Sequence, residues 1–332
     1  MAIPEKIPIR VRIGRTVSKS LFQFLKSLPL LILSIFPVSF VLMVLGASGF
    51  LEAASRLLGR ISVFFGFRGE ALIAFGCSIL GNPYMALTCI EVMNFSAREL
   101  VILAMMCLTA HSLIAESGGM HRTGSSFSKL LFLRLFWAPA SGLLLNLILP
   151  GRGILETGGQ SLVLPDLESL KAFFASEELN PLIMPWLGAT FIFMVRTALI
   201  VLGSYFLQHI LQEFGLLSLA SRIITPFMPV LGLPSHAAYP LITSFSFGIQ
   251  EGYPVIWEAF ENASLSEKEA DLLNHHIAID HSWITDTCLY AAAGISTIWL
   301  LLPRIILAIL VVWIEKLRRF LFRRSFRVHI GE

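Results

Sequence analysis

Charge is scarce in this chain: Asp, Glu, Lys and Arg make up only 14% of its 332 residues, where a soluble domain carries about 25%. That shortage excludes a soluble enzyme. The net charge is only +3, and the basic residues gather at the two ends instead of forming a stripe with interleaved aromatics, so a nucleic-acid binder is excluded too. Cysteine is equally thin. Cys77, Cys89, Cys107 and Cys288 all fall in apolar segments without CxxC spacing, which leaves no disulfide framework and no thiolate metal site. Neither HExxH nor GxSxG occurs, so an intramembrane hydrolase built on His, Asp and Ser lacks its usual signatures.

What the chain has instead is apolar length. Apolar residues make up 55% of it, in several runs that reach the ~20 residues a helix needs to cross a bilayer. The expected class is an all-α polytopic membrane protein, with crossings near 28–49, 98–116, 130–149, 182–212, 272–292 and 298–316. No small-residue cleavage site follows the basic start, so the first crossing is expected to be an uncleaved transmembrane helix.

Six crossings put both ends on one side. Lys6, Arg10, Arg12, Arg15, Lys19 and Lys26 precede the first crossing, and Lys316, Arg318, Arg319, Arg323, Arg324 and Arg327 end the chain. The positive-inside rule therefore assigns a basic cytoplasmic segment to 1–27 and a basic cytoplasmic tail to 318–332, in an inner, cytoplasmic membrane. The linker 150–181, with Glu156, Asp166, Glu168, Glu177 and Glu178 against Arg152 and Lys171, is expected outside. Arg56, Arg60 and Arg68 run against this orientation unless an amphipathic helix lying in the interface carries them.

Two stretches, 70–94 and 237–262, are apolar at their ends and broken in the middle, by Gly76, Gly81 and Pro83 in one and Gly248, Gly252 and Pro254 in the other. One continuous helix is excluded in each. Because lipid cannot satisfy a broken backbone, they are expected to be re-entrant hairpins buried in protein or lining a cavity. Their tips would present Ser78, Gly81 and Asn82 on one side and Ser244, Ser246, Gln250 and Glu251 on the other. The alternative is that the glycines only allow close helix packing.

The two halves also align. LLGRISVFF (57–65) faces LASRIITPF (219–227), SAREL (96–100) faces SEKEA (266–270), His111-Ser112 and Glu116 face His281-Ser282 and Asp286, and Arg134 faces Arg304. Each copy holds three crossings and a hairpin. An odd number inverts the second copy, giving two inverted-topology repeats at 28–149 and 182–317, an architecture common among secondary transporters.

Ser112 and Glu116, like Ser282 and Asp286, share one helical face, and ionisable groups at membrane depth usually face a cavity or a partner. Gly118 and Gly119 favour unwinding beside Glu116. His275, His276, Asp280 and His281 form the densest polar cluster, open to proton relay, metal binding or helix pairing, although no second His-rich helix completes a coordination set. Arg196, in mid-span, is expected to gate or to pair with an acid such as Glu116.

The segment ALTCIEV after a Gly-Asn-Pro break, followed by MCLTAHSLIAESGGMHRTG, resembles the Gate or nucleoside-recognition domain. That domain is related to the hairpin-bearing core of concentrative nucleoside transporters and to the membrane part of Feo-type ferrous iron permeases. The resemblance is best over 57–149 and more distant over 219–317. It implies a transport core whose hairpin tips and unwound helices form the site, and by position it names Gly81, Asn82, Gln250, Glu251, Ser112, Glu116, Ser282 and Asp286. No GTPase domain and no nucleoside-transporter hairpin signature are legible, so neither a Feo-type pump nor a nucleoside substrate follows. The expected function is secondary transport of a small polar solute without catalysis or a resident cofactor or metal. Coupling to H⁺ or Na⁺ is assigned to His111, Arg196, Asp280 and His281 together with the acids. The expected partners are the solute, the lipid bilayer and, as an open alternative, a second copy of the chain; a scaffold or channel partner that keeps the fold without transport is the other class.

Overall fold

In the computed structural model, which describes residues 8–151 and 180–328 apart from the side chains of Gln250, Glu251 and 323–328, the described residues form helices joined by short turns and breaks, with no strand. The linker 150–181 and the tip side chains Gln250 and Glu251 therefore lie outside the described residues except at their margins. Five helices are long and apolar enough to cross a membrane, or six if one bent pair counts as a single span.

The first half starts with α1 (Ile9–Ala47), and α2 (Phe50–Ser62) follows after Gly49, whose φ of 76° turns the chain. Basic residues from Arg10 to Lys26 are thus helical, whereas 28 was the expected start of the first crossing. The reason is tertiary: α1 packs along α8 (Asn180–Glu213), which offers partners at both ends. Arg12 donates to the Glu213 carbonyl, Ser20 Oγ to the Tyr205 carbonyl at 3.3 Å, and Trp186 Nε1 to Ser39 Oγ at 3.2 Å, so the two helices run antiparallel.

Amphipathic α2 meets α3 (Gly69–Leu80) at 87°. The contact needs Gly69, since a Cβ there would stand 1.9 Å from the Ser55 carbonyl oxygen. α3 and α4 (Pro83–Met93) form the first hairpin, broken at Gly81 and Asn82 as expected. Asn82 caps α4 by accepting from the Tyr84 and Met85 amides at 3.0 and 3.2 Å, and Pro83 at the first helical position has no N–H to leave unpaired. Asn82 Nδ2 also donates to Ser34 Oγ on α1 at 2.8 Å.

α5 (Ala97–Ala110) and α6 (Leu113–Arg122) make one span with a break at His111–Ser112, and α7 (Phe127–Ile148) returns against α5. In the second half, α8 is followed by short α9 (Leu216–Ile224) and by the second hairpin, α10 (Ala238–Phe247) and α11 (Ile249–Glu261). The break is a single residue, Gly248, at φ 82° and ψ −175°, a conformation that suits glycine. The expected crossing at 272–292 is divided between α12 (Glu267–Ile279) and α13 (Thr285–Ala292), and α14 (Thr297–Val328) carries the basic end of the chain as helix rather than as a separate tail.

The aligned segments SAREL and SEKEA take the same local form. Ser96 with Glu99 and Ser266 with Glu269 each close a capping box at the start of α5 and of α12. The halves do not pack as separate blocks. α14 lies against α5, and α12 against α7, so the core is continuous across them.

Candidate functional site

Both broken spans stop for a local reason. α5 ends at Ala110 and α12 at Ile279, and Ser112 and Ser282, each one residue after a histidine, sit at φ 46° and 55°, in the left-handed region, so neither helix continues through its break. The amides so freed are recovered by the hairpins: Ser112 N–H donates to the Ser78 carbonyl at 3.0 Å and Ser282 N–H to the Ser244 carbonyl at 3.1 Å. Trp283 N–H adds a bond to the Phe245 carbonyl at 2.6 Å. An arginine secures the carbonyl side of each break. Arg134 donates to the His111 carbonyl at 2.8 Å, and Arg304 donates to the His281 carbonyl.

This bracing brings the two histidines together. Their Nε2 atoms are 3.2 Å apart and their rings 4.9 Å between centroids. Glu116 lies between them, Oε1 3.1 Å from His111 Nε2 and Oε2 3.5 Å from His281 Nε2, with Arg134 at 2.6 Å from the same Oε2. Asp286 Oδ2 is 3.8 Å from His111 Nε2 and has no hydrogen-bond partner among the described residues. His111, His281, Glu116 and Asp286 are all buried, and Arg134 is fully so.

A cavity of about 360 Å³ opens over this group. Its walls are Asn82, Pro83 and Tyr84 from the first tip, Phe247, Gly248 and Ile249 from the second, the residues around the two breaks, and Gln23, Lys26, Ser27 and Leu30 from α1. Lys26 holds its ammonium over the Phe22 ring, 4.4 Å from the centroid, so this cation is not committed to the carboxylates.

Of the residues singled out in the sequence, Asn82, Ser112, Glu116, Ser282, Asp286, His111 and His281 line this one cavity. Ser78 stands behind it, fully buried, with Oγ donating to the Cys107 carbonyl at 3.4 Å, and Gly81 ends α3 next to Asn82. Ser244 and Ser246 serve through their carbonyls, Ser246 accepting from Gln208 Nε2 at 2.7 Å. The side chains of Gln250 and Glu251 lie outside the described residues.

Two expectations are corrected. Arg196 does not reach Glu116: it pairs with Glu91 at 2.5 Å near the surface, because Glu116 already has Arg134. Nor do His275, His276, Asp280 and His281 form one cluster, since successive helical positions point them to different neighbours. His275 turns to Asp271, Asp280 lies 3.3 Å from Arg304 and accepts from Trp283 Nε1 at 2.7 Å, and His276 is buried against the Phe245 ring. Only His281 enters the cavity wall. The sequence reading passed over Arg134 and Arg304 as site residues although their alignment was visible; two buried arginines at matched distances after matched histidines were the signal.

Fold and site define a polytopic helical membrane protein with a polar cavity between two broken spans. No family model matches the chain, and no solved structure does. A similar protein is the uncharacterized membrane protein YvoD of Bacillus subtilis (strain 168), 26% identical over 283 residues that cover 83% of this chain and 86% of that protein.

Proposed function

We propose that the protein is a secondary transporter of a small polar solute, which it binds in the cavity between the hairpin tips and the two broken spans. The observation that carries this reading is convergence. Two hairpin breaks and two helix breaks, drawn from both halves of the chain, meet at one cavity lined by His111, His281, Glu116 and Asp286. Irregular backbone inside a membrane is tolerated where it lines such a cavity, and transporters place their sites there.

In this reading the halves are inverted repeats that rock against each other, so the cavity faces each side in turn. The N-terminal half of α1 walls the cavity, and with both termini in the cytoplasm of an inner-membrane protein the described state is the inward-facing one. The resemblance to the Gate or nucleoside-recognition domain supports a transport core of this kind. The chain acts by binding and moving its solute rather than by covalent chemistry. Asp286, buried and with its Oδ2 lacking a hydrogen-bond partner among the described residues, is assigned the coupling role in this reading.

Uptake by proteoliposomes containing the purified protein, with a panel of nucleosides, organic acids and metal ions under imposed H⁺ and Na⁺ gradients, tests the proposal. Saturable uptake of one class, reduced in Asn82→Ala and Asp286→Asn, supports it. Absence of uptake for every class, with protein correctly inserted, favours the scaffold alternative.

A further inference from the structure

The hydrogen bonds of the central histidines fix where their protons are. His111 Nδ1 lies 3.2 Å from the Cys107 carbonyl oxygen and His281 Nδ1 lies 2.7 Å from that of Ile277. A carbonyl can only accept, so each Nδ1 carries the hydrogen and each neutral ring presents a lone pair at Nε2. Those two lone pairs face each other across 3.2 Å. A carboxylate oxygen of Asp286 stands 3.8 Å from one of them, buried and without a hydrogen-bond partner among the described residues. Glu116 Oε1, 3.1 Å from His111 Nε2 and able only to accept, joins them, so the space between these electron pairs is filled either by a second proton on His111 or by a bound cation, and the titration below separates the two.

The spacing identifies the cation. Two nitrogens, each about 2.0–2.1 Å from a tetrahedral ion, are separated by roughly 3.3 Å, close to the 3.2 Å seen. Two imidazoles with one carboxylate suit first-row transition ions, whereas Na⁺, Mg²⁺ and Ca²⁺ prefer all-oxygen shells. The Nδ1–H to carbonyl bonds are the outer contacts that orient ligating histidines. Charge agrees: Arg134 offsets Glu116 and Arg304 offsets Asp280, while among the described residues no Lys or Arg pairs with Asp286, which has only His111, at 3.8 Å. We propose that His111, His281 and Asp286 bind a divalent first-row transition-metal cation, and that this cation is the transported solute. The second clause rests on the transporter reading; the first does not. Three protein ligands leave one position open to the cavity, which suits an ion that must leave again.

The test titrates the purified full-length protein with Co²⁺ alone, followed by ligand-field absorption and calorimetry. One Co²⁺ per chain, displaced by Zn²⁺, is expected, with His281→Gln and Asp286→Asn each weakening binding about tenfold or more. Asp271→Asn, in the separate Asp271–His275–Glu315 group, is the control and leaves that affinity unchanged. Pulsed EPR of the Cu²⁺-loaded wild type, which requires no variant to fold, is expected to show coupling to two imidazole nitrogens. Absence of Co²⁺ binding, binding lost in Asp271→Asn but kept in Asp286→Asn, or absence of imidazole coupling overturns the site. Solute uptake by a protein that binds no metal overturns this site and leaves the transporter reading intact. Tight binding with no uptake of any solute upholds the site and overturns that reading.

Discussion

Each broken span is braced by a buried arginine, yet the two arginines take their acids from different places. Arg134 donates to the His111 and Thr109 carbonyls at 2.8 and 2.9 Å and holds Glu116, five residues past the histidine, at 2.6 Å. Arg304 braces the His281 carbonyl in the same way but pairs with Asp280, the residue just before the histidine. The first half has Ala110 at that position. Moving the acid by six residues leaves the backbone device unchanged and releases the second carboxylate, Asp286, toward the cavity. One half uses its acid to hold the break, and the other keeps one in reserve.

The largest effects should come from the arginines. Arg134→Met and Arg304→Met each strand a buried carboxylate and are expected to cost about 3–5 kcal/mol, measured by denaturant unfolding in detergent. Adding Asp280→Asn should restore much of the loss in Arg304→Met, whereas adding Asp286→Asn should not; equal rescue by both would erase the difference between the halves. Next come the two acids. Glu116→Gln is expected to destabilise by about 1.5–3 kcal/mol, the range for hydrogen bonds to a charged group. Asp286→Asn should leave the melting temperature unchanged and reduce both uptake and its H⁺ or Na⁺ dependence. Reversal of those outcomes would exchange the roles of the acids.

Smaller effects distinguish the hairpin tips. Gly248→Ala forces a side chain into the left-handed region and against Ser282, its Cβ 3.3 Å from that of Ser282, and should cost about 1–2 kcal/mol. Asn82→Ala loses a helix cap worth about 1 kcal/mol. The smallest change is Ser282→Gly or Ser112→Gly, which relieves positive φ at the expense of chain entropy and should stabilise by about 0.5 kcal/mol. Thermal melts resolve the order, and a tip substitution that exceeds the arginine ones would place the main brace elsewhere.

The hairpin breaks were readable in the sequence because glycine and proline interrupt apolar runs; the breaks at Ser112 and Ser282 were not, and the unwinding expected at Gly118 and Gly119 is absent, since both lie inside α6. The equivalence of His111 and His281 was readable because the same polar residues recur at one offset, but their contact was not. Which acid serves which arginine was not, since spacing gives a helical face and says nothing of what packs on it. Arg196 illustrates this: its partner Glu91 lies 105 positions away, on the second arm of the first hairpin. The helical start at Ile9 was hidden for the same reason, its partners being on α8.

The antiparallel brace of α1 and α8 also dictates an order of assembly. Ser20 is fully buried against the Tyr205 carbonyl and the His209 ring, and half-buried Arg12 pairs with Glu213, contacts that span 185 to 201 positions. A ribosome delivers the first of these helices long before the second. During that interval α1 has hydroxyl and guanidinium groups on a face made for a neighbour not yet synthesised, and the cavity it walls has no second half. The brace therefore cannot close until synthesis has passed residue 213, which makes its completion a late event in biogenesis.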